Sequence, residues 1–192
     1  MDNYRKAKLT LVIGATGTGK TTLVKQILAS AYQRALIVTL ADVDYHEKNA
    51  DGSDRYPVTQ LNKPEDYNFD DIRRHIFEPK NTLRKISAFK NGIIVLDDCR
   101  MYLNAATDPK LHALLVMRRH IMTDIIAVAH GFNEVPPTFY TFADDIFLFQ
   151  TTENMVRRRN HVQNFDQLKQ LQDQVNSEAK INPHYYSYYK FR

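Results

Sequence analysis

Cysteine is nearly absent from this chain, with Cys99 the single example in 192 residues. An internal disulfide is therefore excluded, and the chain is compatible with a reducing compartment. Long apolar runs are also missing: none approaches the roughly 18–20 residues that a membrane-spanning helix needs. The opening residues Met1-Asp2-Asn3-Tyr4-Arg5-Lys6 lead straight to a candidate core strand, so no signal peptide is expected. Internal repeats and low-complexity tracts are absent, which sets aside solenoid and linker-like architectures. Glycine is scarce, with six residues in all, and three of them (Gly14, Gly17 and Gly19) fall in one short stretch. The remainder is ordinary for a soluble globular protein, at 43% hydrophobic and 25% charged residues, and the length suits one domain with a full core. A net charge of +4 leans mildly toward a polyanionic partner.

The clustered glycines belong to Gly14-Ala15-Thr16-Gly17-Thr18-Gly19-Lys20-Thr21, which fits the phosphate-binding pattern G-x-x-x-x-G-K-[ST]. Its context fits as well. Leu9 to Ile13 reads as a buried strand, and Thr22 to Arg34 reads as a helix with Leu23, Ile27, Leu28 and Ala31 at helical spacing. Glycines allow backbone conformations in which successive N–H groups converge on phosphate oxygens. The loop then opens a helix, whose unpaired N–H groups and dipole favour an anion. Residues 14 to 22, including Thr22, are thus expected to cradle a nucleotide such as ATP. Lys20 would reach the β- and γ-phosphates, and Thr21 would ligate Mg²⁺.

Further along, residues 35–40 read as a second strand ending near Asp42 and Asp44. Residues 45–70 are polar, with Gly52, Pro57 and Pro64, and read as a long surface loop or small insertion. A helix is expected from about Asn68 to Phe77, followed by an amphipathic piece from Leu83 to Phe89. After the turn at Asn91-Gly92, Ile93 to Leu96 form an apolar strand ending in Asp97 and Asp98, a Walker B pattern. Such a strand opens at its C-terminal end on the ligand crevice of an α/β sheet. There Asp97 would hold Mg²⁺, directly or through water, and Asp98 would orient and activate the attacking water. Asp108-Pro109 starts a helix that carries Leu111, Leu114 and Leu115 through to His120. Strands follow at Asp124 to Ala129, ending in His130-Gly131, and at Ile146 to Phe149. This alternation predicts an α/β fold, a mostly parallel twisted sheet with helices on both faces. Together with the glycine loop and the paired acids it resembles the P-loop NTPases of the RecA-like (ASCE) type.

Three segments together resemble the FtsK/HerA superfamily of DNA-pumping ATPases. They are the glycine loop, Leu96-Asp97-Asp98-Cys99-Arg100, and the stretch from Arg118-Arg119-His120-Ile121 into Ile125 to His130. The flavour is that of small viral genome-packaging ATPases and of zonular-occludens-toxin-like phage ATPases, and the resemblance covers roughly residues 8 to 155. It implies an ATP-hydrolysing DNA translocase working as a homo-oligomeric ring on a viral genome, with capsid or vertex proteins as further partners. It also implies a place in the host cytoplasm or on the virion. His130 takes the position from which members sense the γ-phosphate, usually with Gln. Arg118 and Arg119 are the candidates for an arginine acting in the neighbouring subunit's site. Asp98 stands where members usually carry Glu.

Residues 156–192 read as an extension to the core of residues 1–155. It holds the basic cluster Arg157-Arg158-Arg159, a glutamine-rich helix from Gln163 to Ala179, and a tail with Tyr185, Tyr186, Tyr188 and Tyr189. The tail is expected to pack on its own sheet or a neighbouring subunit, or to stack on nucleic-acid bases. Three other functions fit the same motifs: a small-molecule P-loop kinase, a phage assembly or export factor, and a non-catalytic nucleotide-dependent assembly protein.

Overall fold

The computed structural model describes residues 6–40, 45–105 and 109–191, with the backbone alone for 103–105. The first five residues, Asp42, Asp44 and the expected helix cap Asp108 lie outside the described residues. Seven strands form one sheet in the order β3-β2-β4-β5-β1-β6-β7. They are β1 (Leu9–Ile13), β2 (Ala35–Thr39), β3 (Ile72–Ile76), β4 (Gly92–Leu96), β5 (Thr123–Ala129), β6 (Asp145–Phe149) and β7 (Tyr186–Lys190). Pairings among β1 to β6 are all parallel, and β7 alone runs antiparallel, on the outer edge of β6. The helices are α1 (Lys20–Ala31), α2 (Thr82–Ile86), α3 (Pro109–Met117), α4 (Pro137–Phe142) and α5 (Phe165–Glu178).

Central strands of a parallel sheet are buried on both faces, which is why their sequences are continuously apolar rather than alternating. All five residues of β2 and all seven of β5 are buried. Successive side chains still point to opposite faces, and two separate cores result. On one face Val12, Ile37, Val95 and Val128 pack against Leu23, Val24 and Leu28 of α1. On the other, Leu11, Leu36, Ile94, Ala127 and Leu148 pack against Ile86 of α2, Leu111 and Leu115 of α3, Phe139 of α4 and Leu168 of α5. Helices therefore cover both faces. Cys99 is buried in the second core, where desolvation pushes its thiol well up and leaves it a packing residue.

Two expectations are corrected. Residues 72–76 form strand β3 rather than part of a helix, in register with β2 from Ala35↔Ile72 to Thr39↔Ile76. Nor is 45–70 simply a surface loop. Tyr45, Tyr56, Leu61 and Phe69 are buried, and Arg74 is sealed beneath the segment, its Nε donating to the Tyr56 carbonyl at 2.6 Å.

His75 on the same strand is 2% exposed, with Nδ1 against the Thr59 carbonyl at 3.1 Å and Nε2 without a hydrogen bond. Burial lowers its affinity for a proton below the ordinary value of 6.5. The folded state therefore binds fewer protons at this site than the unfolded chain. The stabilisation is complete above the unfolded value and declines as pH falls through it toward the folded one. Urea midpoints measured between pH 8 and 5 are expected to fall below about pH 6.5, and His75→Gln should flatten that part of the profile.

Candidate functional site

The strand order sets the site. Strand β5 lies between β1 and β4, with Ile13 abreast of Ala129 and Leu96 abreast of Ala127. The residues that leave the C-terminal ends of these three strands are the loop from Gly14, then His130, then Asp97. The chain leaves β1 through a backbone that only glycine accepts easily: Gly17 has φ of 80° and Gly19, at the N-cap of α1, has φ of 102°. Gly14 is fixed for a different reason, because a Cβ there would run into that of Phe149.

One cavity of about 420 Å³ gathers Thr16, Gly17, Gly19, Lys20, Thr21, Thr22, Asp97, Asp98 and His130. Gly14, Ala15 and Thr18 shape it from beneath. The Lys20 ammonium donates to the carbonyls of Gly14 at 2.6 Å and Ala15 at 2.8 Å, while the Thr18 hydroxyl donates to Ala15 O at 2.8 Å. His130 Nδ1 stands 3.2 Å from the Thr16 hydroxyl and 3.4 Å from Lys20 Nζ. Burial lowers the Lys20 pKa, opposed by the charges of Asp97, Glu134 and Asp98. A larger groove of about 910 Å³ lies by Arg34 and Gly92, at the opposite ends of β2 and β4. It holds no part of the glycine loop, and ligands of open α/β sheets bind at the carboxyl ends of the strands.

Asp98 has φ of 54°, a left-handed conformation that aspartate tolerates better than most residues. Its Oδ2 accepts from Arg100 Nη2 at 3.2 Å, whereas Oδ1 is buried with no hydrogen bond. An orphaned carboxylate oxygen costs free energy and suits a water or metal-bound water held with a ligand. Thr21 and Asp97 line the same cavity, so the oxygen donors present fit Mg²⁺, which is commonly held by one or two protein groups together with substrate phosphates. Bound there, Mg²⁺ would neutralise charge on the phosphates.

Three further residues, Glu134, Arg100 and His184, stand beside the site without having been expected there. Glu134 accepts from the His130 backbone N–H at 3.0 Å and lies 3.6 Å from Arg100, so Arg100 stands between it and Asp98. His184, from the C-terminal segment, lines the phosphate cavity. Arg100 follows Asp98 by two residues, whereas only tertiary packing brings Glu134 and His184 to the loop.

Arg118 and Arg119 are not brought to this cavity. They sit before β5, at the other end of the sheet. Arg118 is 2% exposed, with its guanidinium bound to Asp144 at 3.0 Å and to the carbonyls of Leu115 and Phe142. A side chain so committed inside its own chain is not free to enter a neighbour's site, which removes Arg118 from the two candidates for that role. The Arg119 side chain is 41% exposed and only 3.9 Å from Asp144, so its head group can leave.

No protein-family model matches the chain, and no curated protein sequence does. Solved structures do. The genome-packaging NTPase B204 from Sulfolobus turreted icosahedral virus 2, in complex with AMP, superposes with a TM-score of 0.67 at 17% identity, over 97% of this chain and 94% of that one. The same protein in complex with AMPPCP superposes at 0.63, also at 17% identity and with the same coverage. The N-terminal domain of zonular occludens toxin from Neisseria meningitidis superposes at 0.53, with 12% identity over 98% of this chain and 96% of that one. Over nearly its whole length, the chain has the α/β fold of these structures, a P-loop NTPase fold in the case of the packaging NTPase.

Proposed function

We propose that this protein is a Mg²⁺-dependent ATPase that moves DNA, acting as a homo-oligomeric ring in viral genome packaging. The observation that carries the reading is the convergence of Lys20, Thr21, Asp97, Asp98 and His130 on one cavity. It is supported by the fold shared along nearly the whole of a genome-packaging NTPase. In this reading the loop amides and Lys20 bind the phosphates, and Thr21 and Asp97 hold Mg²⁺. Asp98 positions water through its unpartnered Oδ1. His130 touches both Thr16 and Lys20, so it registers a change in the terminal phosphate. Arg119 supplies positive charge to the neighbour's transition state. Arg157 and Arg159 are exposed and add to the charge that a ring would present to DNA. The place of action is the host cytoplasm or the virion, with capsid or vertex proteins as partners.

The kinase alternative draws less support. Its lid would be the 45–70 segment, whose Tyr45 and Tyr56 are buried and whose Arg55 pairs with Glu47 at 3.2 Å.

The deciding assay is ATP hydrolysis with Mg²⁺, alone and with double- or single-stranded DNA, at concentrations where sedimentation shows an oligomer. Stimulation by one form of DNA is expected and identifies the track. Hydrolysis indifferent to both forms in the assembled protein would favour an assembly factor or kinase instead.

A further inference from the structure

After β6 the chain makes one turn of 3₁₀ helix, Met155–Arg158, anchored by the buried Met155. With about three residues per turn, successive side chains leave such a turn in different directions, so three consecutive arginines cannot share one face. Arg157 and Arg159 are exposed. Arg159 is held loosely, 3.8 Å from Asp166 and over the Phe165 ring, with its side chain 63% exposed. Arg158 turns inward, and its Nη2 donates to the Asn133 carbonyl at 2.6 Å.

Asn133 ties this turn to the phosphate cavity. Its backbone N–H donates to Glu153 Oε2 at 3.0 Å, and its Nδ2 donates to the Asn154 carbonyl at 3.3 Å. The next residue, Glu134, accepts the His130 N–H, and His130 Nδ1 faces Thr16 and Lys20. Gly131 closes the junction, since a Cβ there would collide with the Glu153 carboxylate. Ahead of the turn the chain is pinned by Gln172 of α5, whose amide donates to the Thr151 and Glu153 carbonyls, each at 2.9 Å. A displaced turn therefore pushes on Asn133 rather than dragging β6. At the contact itself a donor and an acceptor are left over: Arg158 Nε and Asn133 Oδ1 are both buried with no hydrogen bond. Buried polar groups are rarely left so. Complementary orphans on touching residues mark a junction with a second arrangement that pairs them.

From this junction we infer that the turn is a regulatory link. Arg157 and Arg159 engage the phosphodiester backbone of a nucleic acid, and Arg158 passes that engagement through Asn133 to His130 at the phosphate cavity. The inference rests on the reading above and deepens it with the regulation of the same site. Arg158 and Asn133 are positioning residues in this scheme, since they act through His130. Coupling of this kind is carried by contiguous hydrogen bonds that have two arrangements. It is also reciprocal: nucleotide must change the affinity for nucleic acid by the factor that nucleic acid changes the affinity for nucleotide.

The test is fluorescence titration of the full chain with a labelled short duplex and a labelled single strand, in Mg²⁺, with and without AMP-PNP, across a range of salt. AMP-PNP is expected to change the wild-type affinity for one of the two forms by at least about fivefold. The double variant Arg157→Ala/Arg159→Ala should bind that form more weakly and lower the slope of log K against log salt by about two, one phosphate contact for each arginine. Asn133→Ala should bind AMP-PNP and nucleotide-free nucleic acid as the wild type does, yet lose the coupling. Arg158→Gln should lose it too, and AMP-PNP binding shows that each variant is folded. An unchanged slope in the double variant would overturn the surface, leaving its arginines to solvent or to a protein partner. Wild-type coupling in both Asn133→Ala and Arg158→Gln would overturn the link. So would a wild type that binds AMP-PNP and nucleic acid independently, and the nucleotide site survives each of these results. A wild type that failed to bind AMP-PNP, or to bind either nucleic acid, would overturn the reading above, and this inference with it.

Discussion

Lys20→Ala is expected to reduce ATP hydrolysis by at least about 100–1,000-fold, the range seen when one preorganised charge-stabilising donor is removed from an active site. The ammonium is held in the cavity by two carbonyls of its own loop, at 2.6 and 2.8 Å. It also answers the negative field of Asp97, Glu134 and Asp98. Without it, a polyanionic substrate would meet those carboxylates uncompensated, and the carbonyls of Gly14 and Ala15 would lose their donor. Steady-state hydrolysis with Mg²⁺·ATP is the measurement, with far-ultraviolet dichroism to show that the fold persists. A variant that kept more than about a tenth of the wild-type rate would move the chemistry to another part of the molecule.

Arg118→Ala is expected to lower stability by about 3–5 kcal/mol, because removing one partner of a buried ion pair leaves the other charge uncompensated. Asp144 is that partner, and its carboxylate also accepts the Leu9 backbone N–H at 2.9 Å, so the loss reaches the start of β1. The adjacent Arg119→Ala should change stability by no more than about 0.5 kcal/mol, since its exposed head group is only loosely paired. Its effect should appear instead in hydrolysis by the assembled protein. Urea denaturation of the two variants separates these roles. Equal losses of stability would contradict the division of labour between the two arginines.

The parts of the site set by local chain geometry were legible in the sequence. A strand, a glycine loop and a helix place Gly14 to Thr22 without help from distant residues, and an apolar run ending in two acids marks Asp97 and Asp98. The strand ending at His130 was readable for the same reason. What escaped was tertiary. Strand β3 reads Ile-Arg-Arg-His-Ile, and its two isoleucines four apart fit a helix face as well as a sheet edge. The buried environment of Arg74 and His75 comes from a crossing segment that propensity does not foresee. The tail shows the converse. Packing on its own sheet was one of the readings open to it, and β7 pairs with β6 with the alternating exposure of an ordinary edge strand. Its tyrosines and lysine fit a partner's surface or nucleic-acid bases equally well, so composition did not choose among them. Arg118 and Arg119 are neighbours in sequence with opposite fates, decided by which of them faces Asp144 more closely.

The reversed direction of β7 also fixes where a handle can be attached. His184 stands at the glycine-loop cavity, and roughly 15 Å of strand then carries the chain to the opposite rim of the sheet. There the Phe191 N–H meets the Asp144 carbonyl at 2.9 Å. A fluorophore or affinity tag fused beyond this strand would stand near Arg119 and Asp144, clear of the glycine loop. The same label placed at residues 182–184 would sit at the mouth of the glycine-loop cavity and report on any ligand that enters it.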